Sequence, residues 1–138
     1  MASWISFAPV KRKPPRRKRR VTATGAELKK YRTHREEARR RISELLIRVS
    51  SHYGLKYGRV AIRNQRRSWG SCSQAGNLNF NYRILFLPEH LQEYIVAHEL
   101  CHLKEFNHGP FFWKHVSSYV PSYKKIRKEL KTIPISSI

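Results

Sequence analysis

A long stretch of the chain repeats apolar residues at the spacing of a helix face. The residues that recur at every third or fourth position are Leu28, Tyr31, Ala38, Ile42, Leu45 and Val49. Thr24 and Glu27 stand three residues apart, which is the capping-box spacing of a helix start, and Gly54 is a typical stop. We therefore predict one long amphipathic helix, whose apolar face the rest of a 138-residue chain must cover.

Three short segments after this helix alternate apolar and polar residues, which is the pattern of half-buried strands. They are residues 59–64, 68–72 and 78–82, and a polar turn at Gln74–Asn77 precedes the last of them. Three such strands beside one helix predict a small antiparallel sheet.

Proline divides the remainder of the chain into helices. A helix is expected to open at Pro88 and to end near 107–110, where Asn107 and Gly109 precede Pro110. A second helix then runs from Pro110 to about Tyr119, and a basic third runs from Pro121 to about Lys131. With 40% hydrophobic residues the chain can build one core, so the predicted fold class is α+β.

Basic residues greatly outnumber acidic ones. The chain has 29 Lys and Arg against nine acidic residues, a formal charge of +20. Eight of these cations and two prolines fall within Lys11–Arg20, so we predict a flexible basic arm over residues 1–23 and a folded domain over residues 24–138. The 21 remaining cations still exceed the nine acids, which makes the domain basic in its own right.

This charge predicts non-specific contacts with DNA or RNA phosphates through Lys11–Arg20 and the first helix. The helix residues concerned are Lys29, Lys30, Arg32, Arg35, Arg39, Arg40 and Arg48. An ordinary solvated helix face, with glutamates nearby, explains them equally well.

The residue types that are absent or rare exclude several kinds of site. All nine acids are Glu, so a Ser-His-Asp triad and an Asp-led calcium loop are excluded. Cys72 and Cys101 form no C-x-x-C pair, which favours free thiols and a cytoplasmic protein. No apolar run approaches the ~18 residues of a membrane span. An Arg-rich start without acids before Glu27 is also typical of an organellar transit peptide, which remains the alternative.

His98 and His102 lie four residues apart within the predicted Pro88 helix. Side chains at i and i+4 project from one helix face about a turn apart, so both imidazoles can bind one tetrahedral ion. Glu99 is next to the first histidine, where it can accept a proton from a water on that ion. The pattern is typical of zinc-activated hydrolysis, with Zn²⁺ as the cofactor.

His108 is the best candidate for a third ligand. Six residues on an unbroken helix rotate by about 600°, which would turn His108 away from His102, so the helix must end between them. Asn107 and Gly109–Pro110 supply that ending, and His115 is the reserve ligand. The candidate oxyanion donors are Tyr82, Tyr94, Tyr119 and Arg83, and the candidate acceptors for the second ring nitrogens are Asn79, Asn81, Glu105, Asn107 and backbone carbonyls.

Several ordered motifs together resemble a known family. They are Arg67–Ser73, Gly76–Arg83, Tyr94–Leu103 and Asn107–His108 with Phe112–Trp113. Over about residues 28–131 the chain is similar to the YgjP-like zinc metallopeptidase domain, a relative of SprT-like and WLM-type zincins. The resemblance implies a minimal zincin-like domain in which zinc binds to His98, His102 and His108 and Glu99 is the catalytic base.

The sequence thus favours a zinc metallopeptidase that cleaves protein or peptide substrates and is tethered to nucleic acid by its basic surface. Trp69, Gly70 and Ser71 are predicted to form the edge along which an extended substrate binds, since Gly allows close backbone approach. A Trp packed in a small core beside a tight turn is the structural alternative. The alternative function is a non-catalytic, basic nucleic-acid-binding protein with a structural zinc site.

Overall fold

A computed structural model of the protein describes residues 22–138, and most of the predicted basic arm, residues 1–21, lies outside them. The first element, α1, spans Gly25–Tyr53. At its start the Thr24 side chain accepts from the Glu27 N–H and Glu27 accepts from the Thr24 N–H, and at its end Gly54 takes the left-handed conformation (φ 63°). Both predicted boundaries of this helix are therefore confirmed.

The sheet has three strands: β1 (Val60–Arg63), β2 (Gly70–Cys72) and β3 (Leu78–Asn81). Their order is β1-β3-β2, with β2 antiparallel to β3 and β1 parallel to it. The α+β class and the strand positions are confirmed, but the prediction of a purely antiparallel sheet is wrong. After β1 the chain passes to the far edge of the sheet, where it forms β2. It then turns back and forms β3 between the other two strands, so that β3 runs parallel to β1.

Beyond a 3₁₀ helix at Tyr82–Phe86, three helices follow: α2 (Glu89–Cys101), α3 (Pro110–Tyr119) and α4 (Tyr123–Lys131). The α2 helix ends several residues earlier than predicted. Its last turn tightens, because the Leu103 N–H bonds to the Leu100 carbonyl and the Lys104 N–H to the Cys101 carbonyl. None of the helices within residues 22–138 is long and apolar enough to span a membrane.

The core lies where α1 and α2 pack against each other and against the sheet. From α1 it receives Ala38, Ile42, Leu45, Leu46 and Val49. The pattern residue Leu28 is instead 40% exposed, since it lies near the start of the helix, before the buried stretch. Buried Gln92 of α2 donates to the carbonyls of Ile84, Leu85 and Leu87 and accepts from Arg41 of α1. This side chain ties α2 to both neighbours.

Candidate metal centre

Three histidines converge at the corner between α2 and α3. The Nε2 atom of His98 lies 3.3 Å from Nε2 of His102 and 3.2 Å from Nε2 of His108. One nitrogen from each ring falls within 4.8 Å of the others, an arrangement that could hold a metal ion. His115, the reserve ligand, is not part of this cluster among residues 22–138.

The early end of α2 produces this geometry. His98 lies in the last helical turn and His102 caps the helix, after which the chain turns back before Gly109 and Pro110 start α3. Phe112 of α3 stacks on the His102 ring at 4.6 Å. Trp113 donates its Nε1–H to the His108 carbonyl at 3.1 Å and stacks on the His108 ring. Two aromatic residues of α3 therefore hold two of the histidines in place.

The second ring nitrogen of two histidines has an oxygen partner. Nδ1 of His98 lies 3.4 Å from the Tyr94 hydroxyl, and Nδ1 of His102 lies 3.1 Å from the Glu105 carbonyl. With the hydrogen on Nδ1, each ring directs the lone pair of Nε2 toward the centre of the cluster. A backbone carbonyl at Glu105 was among the predicted acceptors, whereas Tyr94 was considered only as an oxyanion donor.

Burial keeps these imidazoles neutral. Desolvation, with smaller contributions from His102, His108 and Arg127, lowers the pKa of His98 to about 3. Desolvation also lowers the pKa of His102. Since only the neutral imidazole binds a metal ion, both rings are ready to act as ligands at pH 7.

Glu99 is buried beside the cluster and is only 7% exposed. Burial raises the pKa of its carboxyl to about 7. Its side chain lies against Gly70 of β2, where a Cβ atom would come within 2.9 Å of Glu99 Cγ and 3.0 Å of the Asn79 carbonyl oxygen. A larger residue at position 70 would therefore force Glu99 or the backbone of β3 to move.

Two cavities meet at Gly70, His98 and Glu99. One, of about 380 Å³, continues along Ser71 and Cys72 to the other two histidines. The second, of about 260 Å³, is lined by Trp69 and by residues of α2 and α4. The predicted Trp69–Gly70–Ser71 segment thus lies on the cleft that contains Glu99, and Trp69 also packs against the core.

Other predicted candidates lie away from the cluster or are occupied. Tyr82 is fully buried near α1, and Arg83 is buried and bonded to Asn64 and Gln65. Tyr119 packs against His52 and Tyr53. Burial raises the pKa of both Cys72 and Cys101, which makes each thiol a poor nucleophile.

Sequence reasoning missed Arg127, which belongs to α4 and lines the second cavity.

A small α+β domain that joins two helix histidines, a third histidine and a buried glutamate in one cleft is of the metallopeptidase class. Consistent with this, the YgjP-like, metallopeptidase domain family matches residues 10–133 of the chain. The protein belongs to that family, which confirms the resemblance drawn from its motifs. As a metallopeptidase it is a hydrolase that requires a metal ion and acts on peptide or protein substrates.

Two solved structures have a similar fold. The metallopeptidase zymogen abylysin of Pyrococcus abyssi is 29% identical, with a TM-score of 0.60 over 66% of this chain and 92% of that one. The metallopeptidase zymogen jannalysin of Methanocaldococcus jannaschii is 22% identical, with a TM-score of 0.58 over 66% of this chain and 94% of that one. No curated protein matches the sequence.

Proposed function

We propose that the protein is a zinc-dependent peptidase in which His98, His102 and His108 bind Zn²⁺ and Glu99 is the general base. One observation carries this proposal: three ring nitrogens lie within 4.8 Å of one another beside a buried carboxylate in an open cleft. Neutral imidazoles are ligands that Zn²⁺ favours. A bound Zn²⁺ would act as a Lewis acid, lowering the pKa of a coordinated water toward about 7 and polarising the substrate carbonyl.

The role of Glu99 follows from its position and burial. A carboxyl whose pKa is raised to about 7 holds a proton more readily than an ordinary glutamate, and a cation close by would return it partly to the ionised form. Glu99 can thus take a proton from the attacking water and deliver it to the leaving amine. Tyr94 positions His98 and supplies no proton in this scheme.

The edge of β2 supports the predicted substrate site. This strand pairs with β3 on one side, and its Gly70 and Ser71 line the cleft on the way to the histidines. We propose that an extended substrate binds along Trp69, Gly70 and Ser71 as an added strand.

The alternative, a non-catalytic protein with a structural zinc ion, is less well supported. Structural zinc sites are normally closed by four protein ligands. Within residues 22–138 the cluster contains three candidate ligands and opens onto a cleft.

We also propose that the protein is located in the cytoplasm. The free thiols of Cys72 and Cys101 support this location, because cysteines stay reduced there.

Metal analysis and peptide cleavage test the proposal together. The purified protein should contain stoichiometric zinc and cleave an unfolded protein or peptide. Glu99→Gln should retain zinc and lose cleavage by at least about 10²-fold, as removal of a general base does. His108→Gln should lose zinc, whereas the matched control His115→Gln should keep both properties. Undiminished cleavage by Glu99→Gln would contradict the proposed base.

Tethering to nucleic acid is a separate proposal that rests on charge. It is supported by exposed cations of α1 that have no acidic partner within residues 22–138, such as Lys29, Arg32 and Arg40. Deleting the predicted arm, residues 1–23, should weaken binding to random duplex DNA and flatten its salt dependence. Unchanged binding would rule out the predicted arm as the anchor.

A further inference from the structure

The second cavity at the active site has a cationic mouth and an apolar interior. Arg127 and Lys131 of α4 line it together with His98 and Glu99. The apolar part of its wall consists of Trp69, Tyr94, Ile95 and Leu130. A cavity of about 260 Å³ lined in this way suits one apolar side chain, with a negative group at its mouth.

Arg127 is held in place without being neutralised. Its guanidinium lies 4.8 Å from the centre of the Trp113 ring, which in turn stacks on Tyr123 at 5.1 Å with an interplanar angle of 11°. Trp113 is itself fixed by its bond to the His108 carbonyl. The arginine is therefore positioned by the same aromatic residue that supports a candidate metal ligand.

No carboxylate of residues 22–138 pairs with Arg127. Other arginines of the domain are engaged: Arg41 and Arg48 bind Glu89, and Arg66 binds Glu27. The one acid of α4, Glu129, is bound to His90 at 2.8 Å. Apart from Glu99, the cavity has no acidic lining residue. The planar fork of a guanidinium matches the two oxygens of a carboxylate, so an oriented arginine without an acidic partner can bind one.

We propose that Arg127, assisted by Lys131, makes the enzyme selective for substrates that carry a carboxylate next to an apolar residue seated in this cavity. The inference rests on the proposed peptidase function and specifies its substrates. The carboxylate can come from an Asp or Glu side chain or from the C-terminus of a peptide, because the guanidinium fork binds both in the same way.

A nucleic acid is the competing ligand for these cations. Lys124 and Lys128 extend the basic surface beyond Arg127 into a neighbouring cleft that includes Trp113 and Tyr123. The peptide interpretation is favoured because the cavity beside Arg127 reaches Glu99 and has an apolar wall, which suits an apolar side chain better than a phosphate backbone.

Matched peptides test the selectivity with the zinc-loaded full chain. One pair exchanges Asp for Asn beside an apolar residue, and a second exchanges a free C-terminus for its amide. We expect the acidic member of at least one pair to have a kcat/KM higher by about fivefold, the effect of one partly exposed charge pair, and the pair that responds identifies the source of the carboxylate. Arg127→Gln should abolish the difference, whereas Lys125→Gln should preserve it. Lys125 provides the matched control because it is an exposed cation of α4 that lines neither the second cavity nor the neighbouring cleft.

Binding provides a readout that does not depend on turnover. The Glu99→Gln protein should bind the acidic peptide about fivefold more tightly than the neutral one, and added salt should reduce the ratio. Equal kcat/KM and equal affinity within both pairs, or a preference that survives Arg127→Gln, would overturn the inference. The inference would also be overturned if Arg127→Gln weakened binding to single-stranded DNA while the wild type showed no preference for the acidic peptides. Failure of the peptidase proposal would appear differently, as absence of cleavage for every peptide.

Discussion

At the scale of single residues, Gly70 determines where Glu99 can lie. A methyl group there would meet Glu99 Cγ at 2.9 Å and the Asn79 carbonyl at 3.0 Å, so Gly70→Ala must displace the glutamate or open the sheet. We expect kcat/KM to fall by about 10²-fold, since a displacement near 1 Å of a reacting group has that effect. Overpacking should also cost about 1–3 kcal/mol of stability. Zinc content should be unchanged.

The matched control for Gly70 is Gly25→Ala, because a Cβ at Gly25 has no atom within 4 Å. This variant should have wild-type activity. Full activity of Gly70→Ala would show that Glu99 tolerates the added methyl group and that the close approach is irrelevant to catalysis.

The stability of the metal-free protein should depend on pH through Glu99. Burial raises the pKa of its carboxyl from the ordinary 4.5 to about 7. The stability that this carboxyl contributes is therefore complete below pH 4.5 and is lost as the pH rises from 4.5 through 7. With chelator at pH 8, Glu99→Gln should therefore be more stable than the wild type, by up to about 3 kcal/mol. Urea unfolding at pH 4 and pH 8 measures this. Equal gains at both pH values would show that ionisation of Glu99 is not the cause.

At the scale of elements, Gln92 joins α2 to the 3₁₀ segment before it. Its amide group donates to the carbonyls of Ile84, Leu85 and Leu87, and its oxygen accepts from Arg41 at 2.9 Å. Gln92→Leu removes the side-chain donor to the Leu85 and Leu87 carbonyls, while the Ile84 carbonyl keeps the Leu87 N–H, and this should lower the free energy of unfolding by about 1–3 kcal/mol. Urea unfolding with the exposed control Gln74→Leu, expected near zero, provides the comparison.

The helices were the most predictable elements, because most of their ends carry local boundary signals. Thr24, Gly54 and Pro110 act through local backbone geometry, which sequence alone specifies. The direction of β1 was not predictable in the same way, because pairing depends on which strand occupies the centre of the sheet. The actual end of α2 escaped prediction because Cys101–Lys104 contains no strong helix breaker.

The histidine cluster was predictable because its members are close in sequence and one helical turn brings two of them together. Neither contact that Tyr94 and Phe112 make with a histidine ring was predictable, because each depends on how the side chains pack in the folded domain. Arg127 comes from α4, nineteen positions after His108, and only the packing of α4 on α2 brings it to the cleft.

At the scale of the whole molecule, four of the nine acidic residues, Glu27, Glu89, Glu93 and Glu129, join neighbouring elements. Glu27 caps α1 and binds Arg66, while Glu89 and Glu93 bind arginines of α1. This use of the acids leaves many cations without an acidic partner. The basic character is therefore a property of the folded surface of residues 22–138 as well as of Lys11–Arg20.

The three candidate ligands all lie within residues 98–108, and neither α1 nor the sheet contributes one. Removing the metal should therefore loosen only the corner around residues 102–110. Amide hydrogen exchange measured by mass spectrometry should increase there on chelation, while α1 and β3 keep their protection. A uniform increase over the domain would contradict this expectation. If the increase is confined to this corner, the enzyme can lose and regain its ion while the rest of the domain stays folded. A folded domain without its metal ion would still resist cleavage by other proteases.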